Sequence, residues 1–173
     1  MQQTTRRPRP EEYGQYYNTY ISKVKKDNCF EALTKGKDDA IAFYENIPAD
    51  KWGYKYGPDK WTIKEVLLHI IDSERVFAYR ALRIARSDQT PLPGFDQNIY
   101  VPNSRANERT PESLIDEYRA VREATLALYR YLDDAALSRI GTASDFPASP
   151  LALGFIIAGH EIHHVGILEE RYL

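Results

Sequence analysis

At 173 residues the chain is long enough for one well-filled domain and short for two. Its hydrophobic content of 43% and charged content of 28% are those of an ordinary globular protein, not a disordered or fibrous one. Twenty-three basic against 25 acidic side chains leave a formal charge of -2, which offers no overall attraction to nucleic acid or to an anionic membrane, and the one cysteine, Cys29, excludes an intrachain disulfide framework and a cysteine-built zinc site.

Residues 1–9 are polar, carry Arg6, Arg7 and Arg9 and lead into no apolar signal-peptide core, so they read as a flexible arm ahead of a single domain over 10–173. Tyr13, Tyr16, Tyr17, Tyr20 and Val24 fall at i, i+3, i+4, i+7 and i+11, one stripe of a short helix that packs across the main body or forms a dimer contact. Asn28 with Glu31 three residues on starts a second helix, whose Cys29, Leu33, Gly36, Ala40, Tyr44 and Ile47 alternate steps of four and three until Pro48. Thr62 with Glu65 forms a capping box for a third. Its apolar face runs through Ile63, Val66, Leu67, Ile70, Phe77, Ala78 and Ala81 and ends near Arg86.

Residues 87–110 break every period, and a connection of that length inside one domain suits a lid, an entrance or an interface. Thr110 followed by Pro111 opens a helix with Leu114, Tyr118, Val121, Thr125, Leu128 and Leu132 on one face. A second irregular stretch, 133–149, ends at Ser149-Pro150, and the last helix runs from about Leu151 nearly to the end. The longest apolar run, Leu151 to Gly159, is about half of the ~20 residues that a membrane-spanning helix needs. No alternating strand pattern appears. The expectation is an all-α, cytoplasmic four-helix bundle with a short additional N-terminal helix, in which 87–110 crosses over between the second and third bundle helices.

The chemistry concentrates in four histidines: His69 on the third helix, and His160, His163 and His164 on the last. His160 and His164 are four residues apart on the apolar stripe, so they stack one turn apart and point into the bundle. Two buried imidazoles need polar partners, and a metal ion satisfies both at once. His69 is the candidate third ligand, and His163 is the residue that could replace one of the pair. Three neutral imidazoles with an open position suit a zinc or nickel ion that activates water or a thiol.

Three stretches resemble the DinB-like superfamily, in particular its YfiT-like metal-dependent hydrolases: Lys60-Trp61-Thr62-Ile63-Lys64-Glu65 ahead of His69, Leu92-Pro93-Gly94-Phe95-Asp96, and Gly159-His160-Glu161-Ile162-His163-His164. Their order and spacing cover roughly residues 28–173. The resemblance implies a four-helix bundle, often dimeric, with a divalent metal, nickel or zinc, on the histidines at 69, 160 and 164. It also implies a small-molecule substrate, handled by hydrolysis or by transfer to a low-molecular-weight thiol. The alternative is a non-catalytic, stress-related metal-binding bundle.

Other polar residues admit structural readings. Glu74, on the apolar stripe between Ile70 and Phe77, is a carboxylate that orients a ligand imidazole, a general base, or half of a buried ion pair. Asp72 and Glu161 are expected on solvated faces. Arg80, Arg83 and Arg86 are expected to decorate a charged helix end, with an anion clamp as the alternative. Cys29 is expected in the core.

Overall fold

Four side-chain caps start four long helices in the computed structural model, which describes residues 5–173. Asn28 accepts from the Glu31 amide at 3.0 Å and opens α2 (Cys29–Glu45), the first long helix after the single turn of α1 (Asn18–Ile21). Thr62 and Glu65 cap reciprocally, at 3.1 and 2.7 Å, and open α3 (Ile63–Ala85). After the short α4 (Gln97–Asn103), Thr110 accepts from the Ser113 amide at 3.2 Å with Pro111 at the first position of α5 (Pro111–Tyr129). Another single turn, α6 (Asp134–Leu137), precedes a two-stranded hairpin. Ser149 then accepts from the Ala152 amide at 3.0 Å and opens α7 (Pro150–Arg171). Each cap satisfies an amide that the helix itself cannot, and each was legible in the chain.

In cross-section α2 packs on α7, α7 on α3, α3 on α5 and α5 on α2. Consecutive bundle helices α2 and α3 are therefore diagonal, as are α5 and α7. The expected crossover at 87–110 is wrong: α3 and α5 are neighbours, and the helix exchange across the diagonal happens over 46–62 and 130–149. The length of 87–110 goes instead into α4, a 3-10 turn at Ala106–Glu108, and a strip pinned to the hairpin. In that strip the Leu92 amide donates to Thr142 O and the Ser144 amide to Leu92 O, both at 2.9 Å.

The hairpin is a second departure. β1 (Gly141–Ala143) and β2 (Phe146–Ala148) are three residues each, too short for an alternating pattern to show. Ser144 and Asp145 join them with φ of 51° and 67°, the left-handed pair that a two-residue hairpin turn requires.

The tyrosine-striped segment is not one helix. Tyr13 is extended and bridges Ala148, Gly14 is extended too, and a 3-10 turn at Gln15–Tyr17 then leads into α1. The arm expected at 1–9 is also anchored in its described part. Arg6 holds Glu12 at 2.7 Å and Ser138 at 2.9 Å, and Arg7 donates to Ile21 O at 2.7 Å and Val24 O at 2.9 Å. Residues 1–4 lie outside the described residues.

Apolar burial falls into two clusters. One gathers Leu33, Phe77, Leu126 and Phe155; the other gathers Tyr44, Leu67, Leu114 and Leu168. Between them runs a polar waist of buried His69, Ser73, Glu74, Arg122, His160 and Glu161. α7 is long and apolar enough to cross a membrane, but 67% of its most apolar window is buried in the bundle, as in the core helix of a globular domain.

Candidate metal centre

α3 and α7 bring His69, His160 and His164 together at the waist. One ligand atom from each lies within 4.8 Å of the other two. His160 Nε2 is 3.1 Å from His69 Nε2 and 3.1 Å from His164 Nε2. The rings are held by aromatic neighbours: Trp61 lies 5.0 Å from His69 centroid to centroid, and Tyr20 stands edge-on to His160 at 5.2 Å. His163 turns aside, half-buried and 5.4 Å from the Tyr20 ring, and belongs to no cluster of metal-ligating side chains among the described residues.

Burial pushes the His69 imidazole down to about 4. It pushes His164 down to about 3, with His69 and His163 adding to the effect. His160 is held well below the ordinary histidine value, by burial first and then by the other imidazoles. At neutral pH the three rings are uncharged, the state in which imidazole binds a metal.

A cavity of about 350 Å³ opens onto the histidines, walled by Tyr17, Tyr20, Trp61, Phe77 and Phe95. Tyr20 reaches it because α1 lies directly on α7, at Gly159. A Cβ there would collide with the Tyr20 carbonyl, so only glycine permits the approach. Phe95 and Gln97 come from the 87–110 connection, which thus shapes the entrance. Arg80 fixes this wall. It is buried rather than part of a solvated helix end, and its Nη2 donates to Pro93 O at 2.7 Å and Ser144 Oγ at 2.9 Å. Its guanidinium lies 5.8 Å from the centres of both Phe77 and Phe95. Arg83 pairs with Asp88, and Arg86 is exposed, so the three arginines form no anion clamp.

Glu74 takes the ion-pair role among those expected of it. Its two oxygens accept from Arg122 Nε at 2.8 Å and Nη2 at 2.9 Å, which leaves them committed to a guanidinium and not to a histidine. Glu161 is a correction: it is 2% exposed, accepts from Arg122 Nη2 at 2.8 Å and from the Tyr118 hydroxyl, and faces no solvent. Burial, together with the nearby Glu74 charge, raises the Glu161 carboxyl despite Arg122 and Tyr118. Asp72 is half-buried and pairs with Arg75 at 3.2 Å. Cys29 is buried, as expected.

Arg122, 0% exposed, is the residue that sequence reasoning missed. The buried face of α5 runs through Leu114, Tyr118, Arg122, Thr125 and Tyr129, one position round from the stripe drawn through Val121 and Leu128, which are half-buried. A charge at i+4 from Tyr118 and i-3 from Thr125 was the available signal, and Glu74 on the facing stripe was its complement.

The model of the DinB superfamily matches residues 32–168, most of the chain. The chain belongs to the DinB superfamily. Among solved structures it is similar to YfiT from Bacillus subtilis, described as "a probable metal-dependent hydrolase with an unusual four-helix bundle topology". The TM-score is 0.70 at 18% identity, over 95% of this chain and 92% of that one, a likeness of fold. No curated protein sequence matches significantly.

Proposed function

We propose that this DinB-superfamily protein is a metal-dependent hydrolase, in which His69, His160 and His164 hold one divalent ion, nickel or zinc, at the base of a cavity for a small organic substrate. The observation that carries the reading is the convergence of three uncharged imidazole nitrogens from two helices on that cavity. Three neutral imidazoles suit such an ion chemically, and two of the three nitrogen separations match it. Two nitrogens each ~2.0–2.1 Å from one metal stand about 3–3.5 Å apart, the spacing His160 keeps from both neighbours. When bound, the ion would supply a water nucleophile near neutral pH, by lowering the water's pKa to about 7.

The protein's own groups perform the rest. Burial keeps the imidazoles uncharged, each with one ring nitrogen open to a ligand, Trp61 and Tyr20 pack against the rings, and the aromatic walls accept a flat apolar group. A low-molecular-weight thiol in place of water would make the same site an S-transferase. Water is favoured because no lysine or arginine among the described residues lines the cavity to receive an acidic thiol.

The test is elemental analysis of untagged protein, purified without chelator, beside the His69→Ala/His164→Ala double variant. Near-stoichiometric metal in the first and background metal in the second is the expected result. No metal in either after reconstitution with zinc and nickel overturns the reading. Turnover of aryl esters by the loaded protein only when a thiol is added would replace hydrolysis with thiol transfer.

A further inference from the structure

A hydroxyl at the wall of the histidine cavity stands outside the hydrogen bonding of the described residues. Ser73 follows His69 by four residues on α3, so the two side chains share a face. It is 1% exposed, it lines the cavity, and its Oγ has no hydrogen-bond partner among the described residues. Helical serine and threonine hydroxyls commonly bond the carbonyl four residues back. Thr34 does so with Phe30 O at 2.8 Å and Thr125 with Val121 O at 3.1 Å, whereas Ser73 does not. A buried hydroxyl left unpaired destabilises the fold, and a water or a ligand entering the cavity would relieve that cost.

The remaining wall limits what that ligand is. Beside the polar side chains of Gln97 and Ser144 it carries the rings of Tyr17, Tyr20, Trp61, Phe77 and Phe95, and no Asp, Glu, Lys or Arg stands among the described residues lining it. Ring faces and edges favour a second aromatic ring. A lining without formal charge gives a charged ligand no counter-ion of its own. A cavity of about 350 Å³ is ample for one ring with a substituent, given that an engineered apolar cavity of roughly 150 Å³ holds benzene.

We propose that the cavity takes an uncharged aromatic molecule bearing a carbonyl oxygen, and that the Ser73 hydroxyl donates its hydrogen bond to that oxygen. This names the substrate class of the histidine site and rests on reading the cavity as a substrate site. It does not require the ion to be present.

Acetophenone is a suitable probe, titrated by calorimetry or ligand-observed NMR into wild-type and Ser73→Ala protein, each metal-free and zinc-loaded. Cyclohexyl methyl ketone tests the ring, and benzoate, added to the metal-free protein, tests charge. Acetophenone should bind wild type most tightly of the three. Ser73→Ala should weaken it about three- to tenfold, the value of one neutral hydrogen bond. The variant's Tm should equal or exceed that of wild type, since it loses an unpaired buried hydroxyl. Equal binding by the variant, as expected if Ser73 merely holds a water, overturns the proposal. So does a preference for either comparison ligand, absence of binding to wild type, or a Tm several degrees lower in the variant. Zinc content of the same samples separates the two readings. Ser73-dependent binding without zinc retention fails the metal site alone, and zinc retention with Ser73-independent binding fails this proposal alone.

Discussion

Replacing Arg122 with alanine removes the cation from a network in which it is the centre. Glu74 and Glu161, each 2% exposed, would be left facing one another without a counter-charge, and the Leu33 carbonyl would lose the Arg122 Nη1 donor at 3.1 Å. Removing one partner of a buried ion pair costs about 3–5 kcal/mol. With two carboxylates stranded, the upper part of that range applies, limited by protonation of one of them. Against a total stability of roughly 5–15 kcal/mol, a loss of about 4 kcal/mol lowers the urea midpoint by about 2 M for a slope near ~2 kcal/mol/M and Tm by about 10 °C. Equilibrium urea unfolding and a thermal melt, each followed by circular dichroism, read the two shifts. A second protein, with Arg122, Glu74 and Glu161 changed to Met and Tyr118 to Phe, removes all the buried charge and should recover most of the loss, because apolar groups of similar volume replace such networks at little cost. A loss below about 1 kcal/mol in Arg122→Ala, or no recovery in the apolar protein, would refute the view that stranded charge sets the penalty.

Gly159→Ala drives a methyl group into the Tyr20 carbonyl, so α1 must lift from α7; a loss of about 1–3 kcal/mol is expected, and a crystal structure with α1 unmoved would contradict it. Burial alone would raise the Glu12 carboxyl, but hydrogen bonds from Arg6, Ser149 and Arg9 outweigh it and hold its pKa below the usual carboxylate range. Because the folded value is the lower, its stabilisation is fully present above the unfolded pKa of about 4.3 and fades as pH falls through the folded value. The stability gap between wild type and Glu12→Gln should therefore shrink between pH 7 and pH 3, and a constant gap would refute the assignment. Burial pushes the Cys29 thiol up to about 12. It should resist a disulfide reagent at pH 8 in native protein and react at once in urea, and rapid labelling of native protein would place it outside the core.

What the sequence disclosed about this bundle divides along a physical line. Caps are local: Thr62 needs only Glu65, and Ser149 only the amide three residues on, so helix starts could be read from a few neighbours. The histidines were legible because imidazoles at i and i+4 on an apolar stripe require an explanation wherever they occur. Glu161 was misplaced because its solvated reading came from one helix, while its burial comes from Arg122 and Tyr118 on another. The tyrosine segment misled for a related reason. Its spacing satisfies a helix, but Tyr13 finds a better partner in Ala148, 135 positions along the chain. Which helices would be diagonal could not be read from loop length, since 87–110 spends its residues on the cavity rather than on distance.

Glu74 stands five residues after His69 on α3, and Glu161 is next to His160 on α7, so one guanidinium from α5 grips the two histidine-bearing helices at the level of the site itself. Gly36 leaves the room for this on α2, where a Cβ would come within 2.6 Å of Glu161 Oε1. Apolar packing alone could hold the helices, as it does in the clusters above and below, but such surfaces tolerate small slips. Bidentate hydrogen bonds tolerate slips poorly, because their length and direction are both fixed. The waist therefore carries two kinds of polar group with different tasks: a charged network that sets the separation of α3 and α7, and uncharged imidazoles and a serine hydroxyl that face the cavity. The all-apolar replacement distinguishes these tasks, since a fold that regains its stability while binding metal more weakly would have kept the packing and lost the spacing.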